Sequence, residues 1–578
     1  MQETDLKIGY TKYDGYPVTI KNSDGSILYF EGYNYNENQD KFIEELNAIT
    51  NKYIHHNKAI DYLLKERLLK SDGDFIFLKY DPVANTIIVI NDVLGRLPLY
   101  YYQENDKILV SREIKFILNL INRNTVNRTA VNQNLLFGYT LGNATLYQNI
   151  FSLKPGTILK IDLKSSSLSL ENYHSFNFDE KENHNRSVKE NAVELASLFS
   201  KACKNRSDMP GLNIVSLSGG LDSRSVAACL HKNKIPFISA SFLDYEKDSS
   251  ADINIAEKLA KILNTEWKLV KLQPAKGKDH LQLLAWKCGL NYLGMSFILQ
   301  YFEKLIDFYG SRLVFFTGDG GDKLLPQIEP NIKIKNIGEL AEYIYKRNRL
   351  FLLSEVSNLT GTSEKIILDE LLENLSLYPE RDFNNKYLHF MLFERGFKWL
   401  LEGEDRNRCS FWSVSPFYST PFFNYAMNCP AKQKNQYQLY RHFLSNISKE
   451  IAEVDYPNIN RSILSKKLTI RHVLNSFLLR FSFINNIAKS VKFREKYIKN
   501  AESFNQNSNY LKCLKNQINN CQEIGDYLSI DEIGKILEGK QKSSKMGFLN
   551  LFTLTSVIEN LFCDNNSIRR YRSDDFIL

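Results

Sequence analysis

Residues 215–226 read Val-Ser-Leu-Ser-Gly-Gly-Leu-Asp-Ser-Arg-Ser-Val. β-Forming residues precede the two glycines, and a helix-forming run, SRSVAACLHKNK, follows them. The pattern is a strand, a tight turn and a helix that starts near Ser223. Glycines let backbone N–H groups approach an anion closely, and a helix N-terminus adds its partial positive charge. Ser218 and Ser223 offer hydroxyl donors. In open α/β sheets ligands gather at the carboxyl ends of strands, where such a turn lies. The expected guest is a phosphate or pyrophosphate. Asp222 is the odd member, because a carboxylate repels phosphate unless a cation stands between them. Magnesium, held by one or two carboxylates plus phosphate oxygens, resolves the conflict. No GxxxxGK[ST] pattern is present, so this is not a Walker loop. The purely structural alternative is a strand-to-helix turn with a Ser/Asp cap, which a complete hexapeptide in this context disfavours.

A magnesium ion with open positions asks for more oxygens, and a second Gly/Asp cluster supplies them. Residues 315–326, FFTGDGGDKLLP, also follow a β-forming run. Gly318, Gly320 and Gly321 keep the backbone open, while Asp319 and Asp322 bring carboxylates. Alone, GDGGD is a weak signal; paired with the first turn it is far more specific.

Outward from these turns the texture is that of an α/β domain. LNIVSL, PFISASF, EWKLVKL and RLVFFTG read as strands, separated by helical stretches such as ELASLFSKAC and SADINIAEKLAKIL. This alternation predicts a parallel sheet covered on both faces. From about 335 the chain reads as mostly helical. Before it, residues 1 to about 162 are β-rich: ILYFEGY, DFIFLKYD, NTIIVIND and KILVSRE are strand candidates, with helices over 40–50 and 57–70. Residues 163–190 are polar and weakly periodic and read as a linker. The expected organisation is therefore an α/β two-domain chain, an amino-terminal antiparallel α+β domain over 1–180 and a parallel-sheet domain with a large helical extension over 181–578.

Bulk properties fit this. A chain of 578 residues is too long for one core. Hydrophobic content of 43% and charged content of 24% are ordinary for a globular protein. Residues 461–500 carry ten Lys or Arg against one acid, Glu495. With no nucleic-acid motif beside it, this reads as a solvated basic face and no nucleic-acid partner is expected. The eight cysteines form no CxxC pair, so zinc is not expected and reduced, packed thiols are. The start, MQETDLKIGY, lacks the apolar run of a signal peptide, and no apolar stretch reaches membrane length. A cytoplasmic location without membrane attachment is the expectation.

Taken together, SGGLDS and GDGGD resemble the asparagine synthetase family, whose synthetase domain carries SGG-x-DS, the signature of the PP-loop ATP pyrophosphatases, and a later G-E-G-x-D-E. The resemblance extends to both sides. DGDFIFLKYD, NDVLGRLPLYYY and VSREIKFIL within 73–118 look like that family's amino-terminal glutaminase domain. Its D-x-x-G-x-x-PLYY segment falls on Asp92, Gly95, Pro98, Leu99, Tyr100 and Tyr101. FEGYNYN (30–36) stands where the family has NGEIYN, and EDRNRCSFWSVSPFYSTPFFNYAM (404–427) looks like the region that shapes the acceptor side.

The resemblance implies a reaction. ATP activates a carboxylate as an acyl-adenylate, and ammonia or an amine displaces AMP to form an amide. It implies ATP and magnesium, with Asp222 and Asp322 as magnesium carboxylates. Ser218, Gly219, Gly220, Leu221 and Ser223 would hold pyrophosphate, and Leu217, Thr317 and Gly318 would border adenosine. Asp319 stands where the family has Glu, or Tyr in β-lactam-forming relatives, and is a candidate for moving a proton from the attacking amine. Lys466 or Lys467 is the candidate for the family's charge-stabilising lysine. Partners would be a small-molecule or peptide carboxylate and an amine or ammonia donor, with a homodimer as an admissible assembly.

The sequence also departs from the family. Glutamine-using members begin with a cysteine exposed by removal of Met1, whereas residue 2 here is Gln and the first cysteine is Cys203. The NGEIYN position reads Glu31-Gly32-Tyr33-Asn34-Tyr35-Asn36. The amino-terminal domain is thus expected to be a retained scaffold that does not hydrolyse glutamine. Lys323 replaces a Glu, and LLPQ replaces LFGGY, so the acceptor pocket is expected to differ from that of asparagine synthetase. Glu394 and Arg395 read as a helix-surface pair rather than pocket residues. Three other functions stand beside the asparagine-type amide ligase: a macrolactam or β-lactam cyclase of specialised metabolism, a nucleotide-binding pseudoenzyme, and RNA sulfur transfer. The last lacks the reactive cysteine pair it needs.

Overall fold

A computed structural model describes the chain from Tyr13 to Phe562, apart from residues 14, 24, 56–58, 106, 122–124, 180–181, 246–249, 458, 460, 466–508 and 542. Lys466, Lys467 and most of the basic stretch lie outside the described residues.

The amino-terminal part is antiparallel. Strands β1 (Val18–Ser23), β2 (Ser26–Asn34), β3 (Gly73–Asp81), β4 (Thr86–Asn91), β8 (Thr157–Asp162) and β9 (Ser167–Asn172) form a six-stranded sheet in that order. Strands β5 (Tyr100–Glu104), β6 (Lys107–Ser111) and β7 (Ile150–Ser152) form a second sheet with β5 in the middle. Both faces of the larger sheet are covered, which is why β4 is buried along its whole length. Alternate side chains diverge to two cores. Phe30, Phe75, Phe77, Ile88 and Ile90 face the helices Gln39–His55 and Ala59–Leu69. Ile76, Ile87, Val89 and Leu159 face the other way. Strand β9 falls inside the stretch expected to be a linker. Its polar composition reflects an edge position, and Asp162 makes the preceding turn by accepting hydrogen bonds from the N–H groups of Lys164 and Ser165 at 2.8 and 3.0 Å.

The second sheet system is parallel. Strands β10 (Leu212–Ser216), β11 (Ile238–Leu243), β12 (Trp267–Lys271), β13 (Leu313–Phe316) and β14 (Trp412–Val414) lie in the order β12-β11-β10-β13-β14. All four strand pairs are parallel. The strand β14 is only three residues long and carries no sequence pattern that separates it from a loop. Helix Val188–Ser207 opens on a capping box in which Ser187 and Glu190 satisfy each other's backbone N–H groups. Among the described residues after β13 helices predominate, interrupted by β14 and by a short antiparallel pair, Asp455–Tyr456 with Arg461–Ser462. They include a π-helix, Phe390–Leu401, where the sequence pattern indicates an ordinary α-helix.

The two halves share their cores. Ile76, Val89 and Tyr101 of the amino-terminal part sit in one apolar cluster with Phe199, Val215, Phe316 and Trp412. Leu118, Leu135 and Tyr147 join another cluster with Leu340, Leu371, Phe390, Leu514 and Leu551 of the helical extension. Three sets of buried ion pairs cross the same boundary. Arg206 takes both Asp72 carboxylate oxygens at 3.0 Å. Arg408 donates to Asp74 at 2.6 Å, and Arg96 pairs with Glu404. Arg112 joins Glu31 at 3.0 Å to Asp405, which Lys287 meets at 2.6 Å while also holding Glu402 at 2.5 Å. Among the described residues six cysteines are free thiols, but Cys521 is disulfide-bonded, against the expectation of wholly reduced thiols. No helix among the described residues is long and apolar enough to cross a membrane.

Candidate active site

The two glycine-rich turns meet at the carboxyl ends of the adjacent central strands β10 and β13. The first turn leaves β10 at Leu217, whose N–H is held by the Ala240 carbonyl at 2.8 Å. The Ser218 N–H donates to Ser223 Oγ at 3.0 Å, the two hydroxyls lie 2.9 Å apart, and the Gly220 N–H reaches Ser218 Oγ at 3.2 Å. The helix begins at Leu221, two residues earlier than the sequence suggests, with Gly220 as an N-cap lacking a side-chain bond. Its first N–H groups therefore have no partner within the helix and face the turn.

The second turn is pressed against the first. A Cβ at Gly318 would stand 2.6 Å from the Ser223 nitrogen and 2.8 Å from the Asp222 carbonyl carbon. One at Gly321 would stand 2.5 Å from Asp222 Oδ1. Both positions need glycine because backbone and carboxylate already occupy the space. Gly320 has φ +98 and lies under the Tyr418 ring, 2.8 Å from where its Cβ would be. Thr317 is tied to β14 through the Val414 carbonyl at 2.9 Å, and its buried Oγ1 has no hydrogen-bond partner among the described residues.

Asp222, Asp319 and Asp322 thus lie close enough for their charges to act on one another. Burial, and then the Asp322 charge, push the Asp222 carboxyl up from 3.8 to about 7. A hydrogen bond from Tyr440 Oη at 2.7 Å and the Lys323 ammonium act in the opposite direction. Asp322 is exposed and ion-paired with Lys323. Burial also raises Asp319, against the pull of Arg96 and then Arg406, while its backbone oxygen is fixed by Ser415 Oγ at 2.6 Å. Among the described residues no three acidic, His or Cys side chains gather as a metal site. A cation here has two protein carboxylates to use and must complete its shell from phosphate and water, which suits magnesium. The repulsion between Asp222 and Asp322 is the feature such an ion relieves.

Several contributors carry no motif. Tyr440 comes from helix Gln438–Ile447 and reaches Asp222 across more than two hundred residues. Gln436 and Tyr437, just before that helix, both hold left-handed φ values, 52 and 58, and Tyr437 faces Asp222 and Asp322. Arg96 from the amino-terminal part stacks 4.0 Å from the Tyr418 ring, which itself faces all three aspartates. Arg406 is buried, donates to Asn291 at 3.0 Å and Asn407 at 2.9 Å, and has no ion-pair partner among the described residues. Glu394 is not a surface residue: it is buried, accepting from Tyr378 Oη at 3.1 Å and the Gly142 N–H at 3.0 Å. Arg395 is exposed.

In the amino-terminal part, Glu31 opens the stretch that stands where the family has NGEIYN. Its carboxylate accepts from Tyr16 Oη at 2.5 Å, Tyr29 Oη at 3.0 Å and Arg112 Nε at 3.0 Å. Glu31 is buried, and these side chains engage one another through their own hydrogen bonds.

Residues 20–174 match the glutamine amidotransferase domain family, and residues 194–453 match the asparagine synthase family. The asparagine synthetase [glutamine-hydrolyzing] 1 of Bacillus subtilis is 24% identical over 223 residues, 38% of this chain and 34% of that protein. The amidase chyE of Penicillium rubens is 25% identical over 43% of this chain and 39% of its own length. A putative asparagine synthetase [glutamine-hydrolyzing] 2 of Methanocaldococcus jannaschii is 28% identical over 36% and 40% respectively. The matches therefore span well under half the length of these relatives. An amidotransferase domain is thus followed by an asparagine synthase domain, and in that order of domains the chain is similar to the asparagine synthetase family.

Proposed function

We propose that this chain is an AMP- and pyrophosphate-forming carbon–nitrogen ligase that adenylates a carboxylate and passes the acyl group to ammonia or an amine, in the cytoplasm. The observation that carries the reading is the convergence of the SGGLDS and GDGGD turns, with Asp222 and Asp322 repelling each other. In this reading Ser218, Gly219, Gly220, Leu221 and Ser223 bind pyrophosphate through hydroxyl and backbone N–H groups. Leu217, Thr317 and Gly318 border the adenosine, and the unpartnered Thr317 hydroxyl supplies a polar contact there. Asp222 and Asp322 would hold magnesium, which when bound neutralises charge on the triphosphate and on the departing pyrophosphate. Asp319, whose carboxyl is pushed up by burial and which faces Arg96 and Arg406, holds or moves the proton of the attacking amine. Lys466 remains the candidate cation for the acyl-transfer step. Most of the acceleration comes from positioning and fixed charge.

The packing around Glu31 favours an amine source other than glutamine. That agrees with free ammonia, and equally with an amine borne by the acceptor molecule, as in an intramolecular amide cyclase. ATP–pyrophosphate exchange screened over amino acids and peptides tests the reading. One class of carboxylate should support exchange, and Asp222→Asn should abolish it. Exchange by the variant equal to that of the unmodified protein would remove Asp222 from the mechanism. Exchange with no carboxylate, alongside intact nucleotide binding, would favour a non-catalytic nucleotide-binding protein.

A further inference from the structure

Arg224 is the member of the opening motif that the reaction does not yet use. It sits on the first turns of the helix Leu221–Lys232, where a cation opposes the helix dipole. It is fully buried and has no ion-pair partner among the described residues. Its guanidinium instead donates to five backbone carbonyls. Two belong to the pyrophosphate turn: Nε reaches Gly220 O at 3.1 Å, and Nη2 reaches Gly219 O at 2.6 Å. Three belong to the segment that leads toward Lys466: Nη1 reaches Val454 O at 2.8 Å and Ile451 O at 3.5 Å, and Nη2 reaches Asp455 O at 2.9 Å. The same segment touches the turn independently. A Cβ on Gly219 would lie 3.0 Å from Pro457 Cγ, and 2.6 Å from Asp252 Oδ1 on the other side.

In a trans peptide the carbonyl and the following N–H point in opposite directions. By taking the Gly219 and Gly220 carbonyls, Arg224 leaves the N–H groups of Gly220 and Leu221 facing away from itself. We propose that Arg224 is a positioning residue. It sets the peptide planes of the turn for an anionic diphosphate and fastens residues 451–457 to that turn. An anion drawn to the N–H side polarises the same peptide units and makes their carbonyls better acceptors for Arg224. Occupancy of the turn and ordering of 451–457 are therefore coupled. This rests on the reading of the turn as a pyrophosphate site.

Calorimetry on the full chain with magnesium pyrophosphate, and separately with AMP, tests it. The unmodified protein must bind magnesium pyrophosphate; if it does not, the pyrophosphate reading itself fails and the inference goes with it. Given that binding, Arg224→Lys should weaken pyrophosphate about tenfold and Arg224→Gln more, while AMP changes less than about twofold. A merely structural role lowers both ligands together, and that result, or no change in either, overturns the inference. Should the variants fail to fold, hydrogen exchange on the unmodified protein decides. Magnesium pyrophosphate should slow exchange in 217–224 and in 449–457 together, and protection confined to 217–224 would refute the coupling.

Discussion

Replacing Asp222 by Asn should stabilise the ligand-free protein while destroying its activity. The Asp222 carboxyl loses its proton at about 7 in the fold and near 3.8 in an unfolded chain, because burial and then Asp322 disfavour its charge. Between those values the folded state binds more protons than the unfolded one, so stability falls as pH rises. The penalty is absent below about pH 4 and complete above about pH 7. A displacement of one pH unit corresponds to about 1.4 kcal/mol, which caps the penalty at about 4 kcal/mol; relaxation and water entry reduce it to about 2 kcal/mol. Asn keeps the shape and still accepts the Tyr440 hydrogen bond, so it removes the charge alone. At pH 8, without magnesium, the thermal midpoint should rise by about 1–2 °C, and the gain should vanish near pH 4. Adding magnesium and pyrophosphate should stabilise the unmodified protein more than the variant. A variant less stable at pH 8, or equally shifted at both pH values, would show that Asp222 is not held against its neighbours' charge.

Tyr440→Phe removes the donor that lowers the Asp222 pKa, so the acid limb of the pyrophosphate-exchange profile should move up by about half to one pH unit; an unmoved limb would separate Tyr440 from the ionisation. Arg112→Met leaves Glu31 and Asp405 buried without their shared cation and should cost about 3–5 kcal/mol in urea unfolding, whereas a loss under about 1 kcal/mol would mean that water already reaches the pair. Glutamine should yield no glutamate above background, while ammonium or an amine-bearing acceptor supports amide formation. Glutaminase activity would show that the side chains around Glu31 give way to substrate.

The parts of the site built from local patterns were legible before any coordinates. SGGLDS and GDGGD each combine a strand end, glycines and carboxylates within six residues, and the parallel alternation puts both at strand carboxyl ends. What escaped notice comes from single side chains delivered by distant elements. Tyr440 is one tyrosine on an amphipathic helix, and nothing nearby distinguishes it from a core residue. Arg96 lies in a segment whose pattern speaks of the amino-terminal domain alone. Strand β14 is too short to show a period. Glu394 reads as a surface acid because the spacing around it suits an α-helix, whereas the chain there is a π-helix that turns it inward. Arg224 did leave a trace: a cation placed early in a helix works against the dipole and asks for a compensating set of acceptors.

The ion pairs between the halves bear on how this protein can be altered. Glu404 and Asp405, gripped by Arg96 and Arg112, immediately precede Arg406 in the chain, beside Asp319. The amino-terminal half thereby keeps a hand on residues beside the carboxylates of the other half. Drift in the amino-terminal half is answerable to the other half, and excising it would strip the segment around Arg406 of its anchors. A mutant library meant to change acceptor preference belongs as much at positions 96 and 112 as at 406.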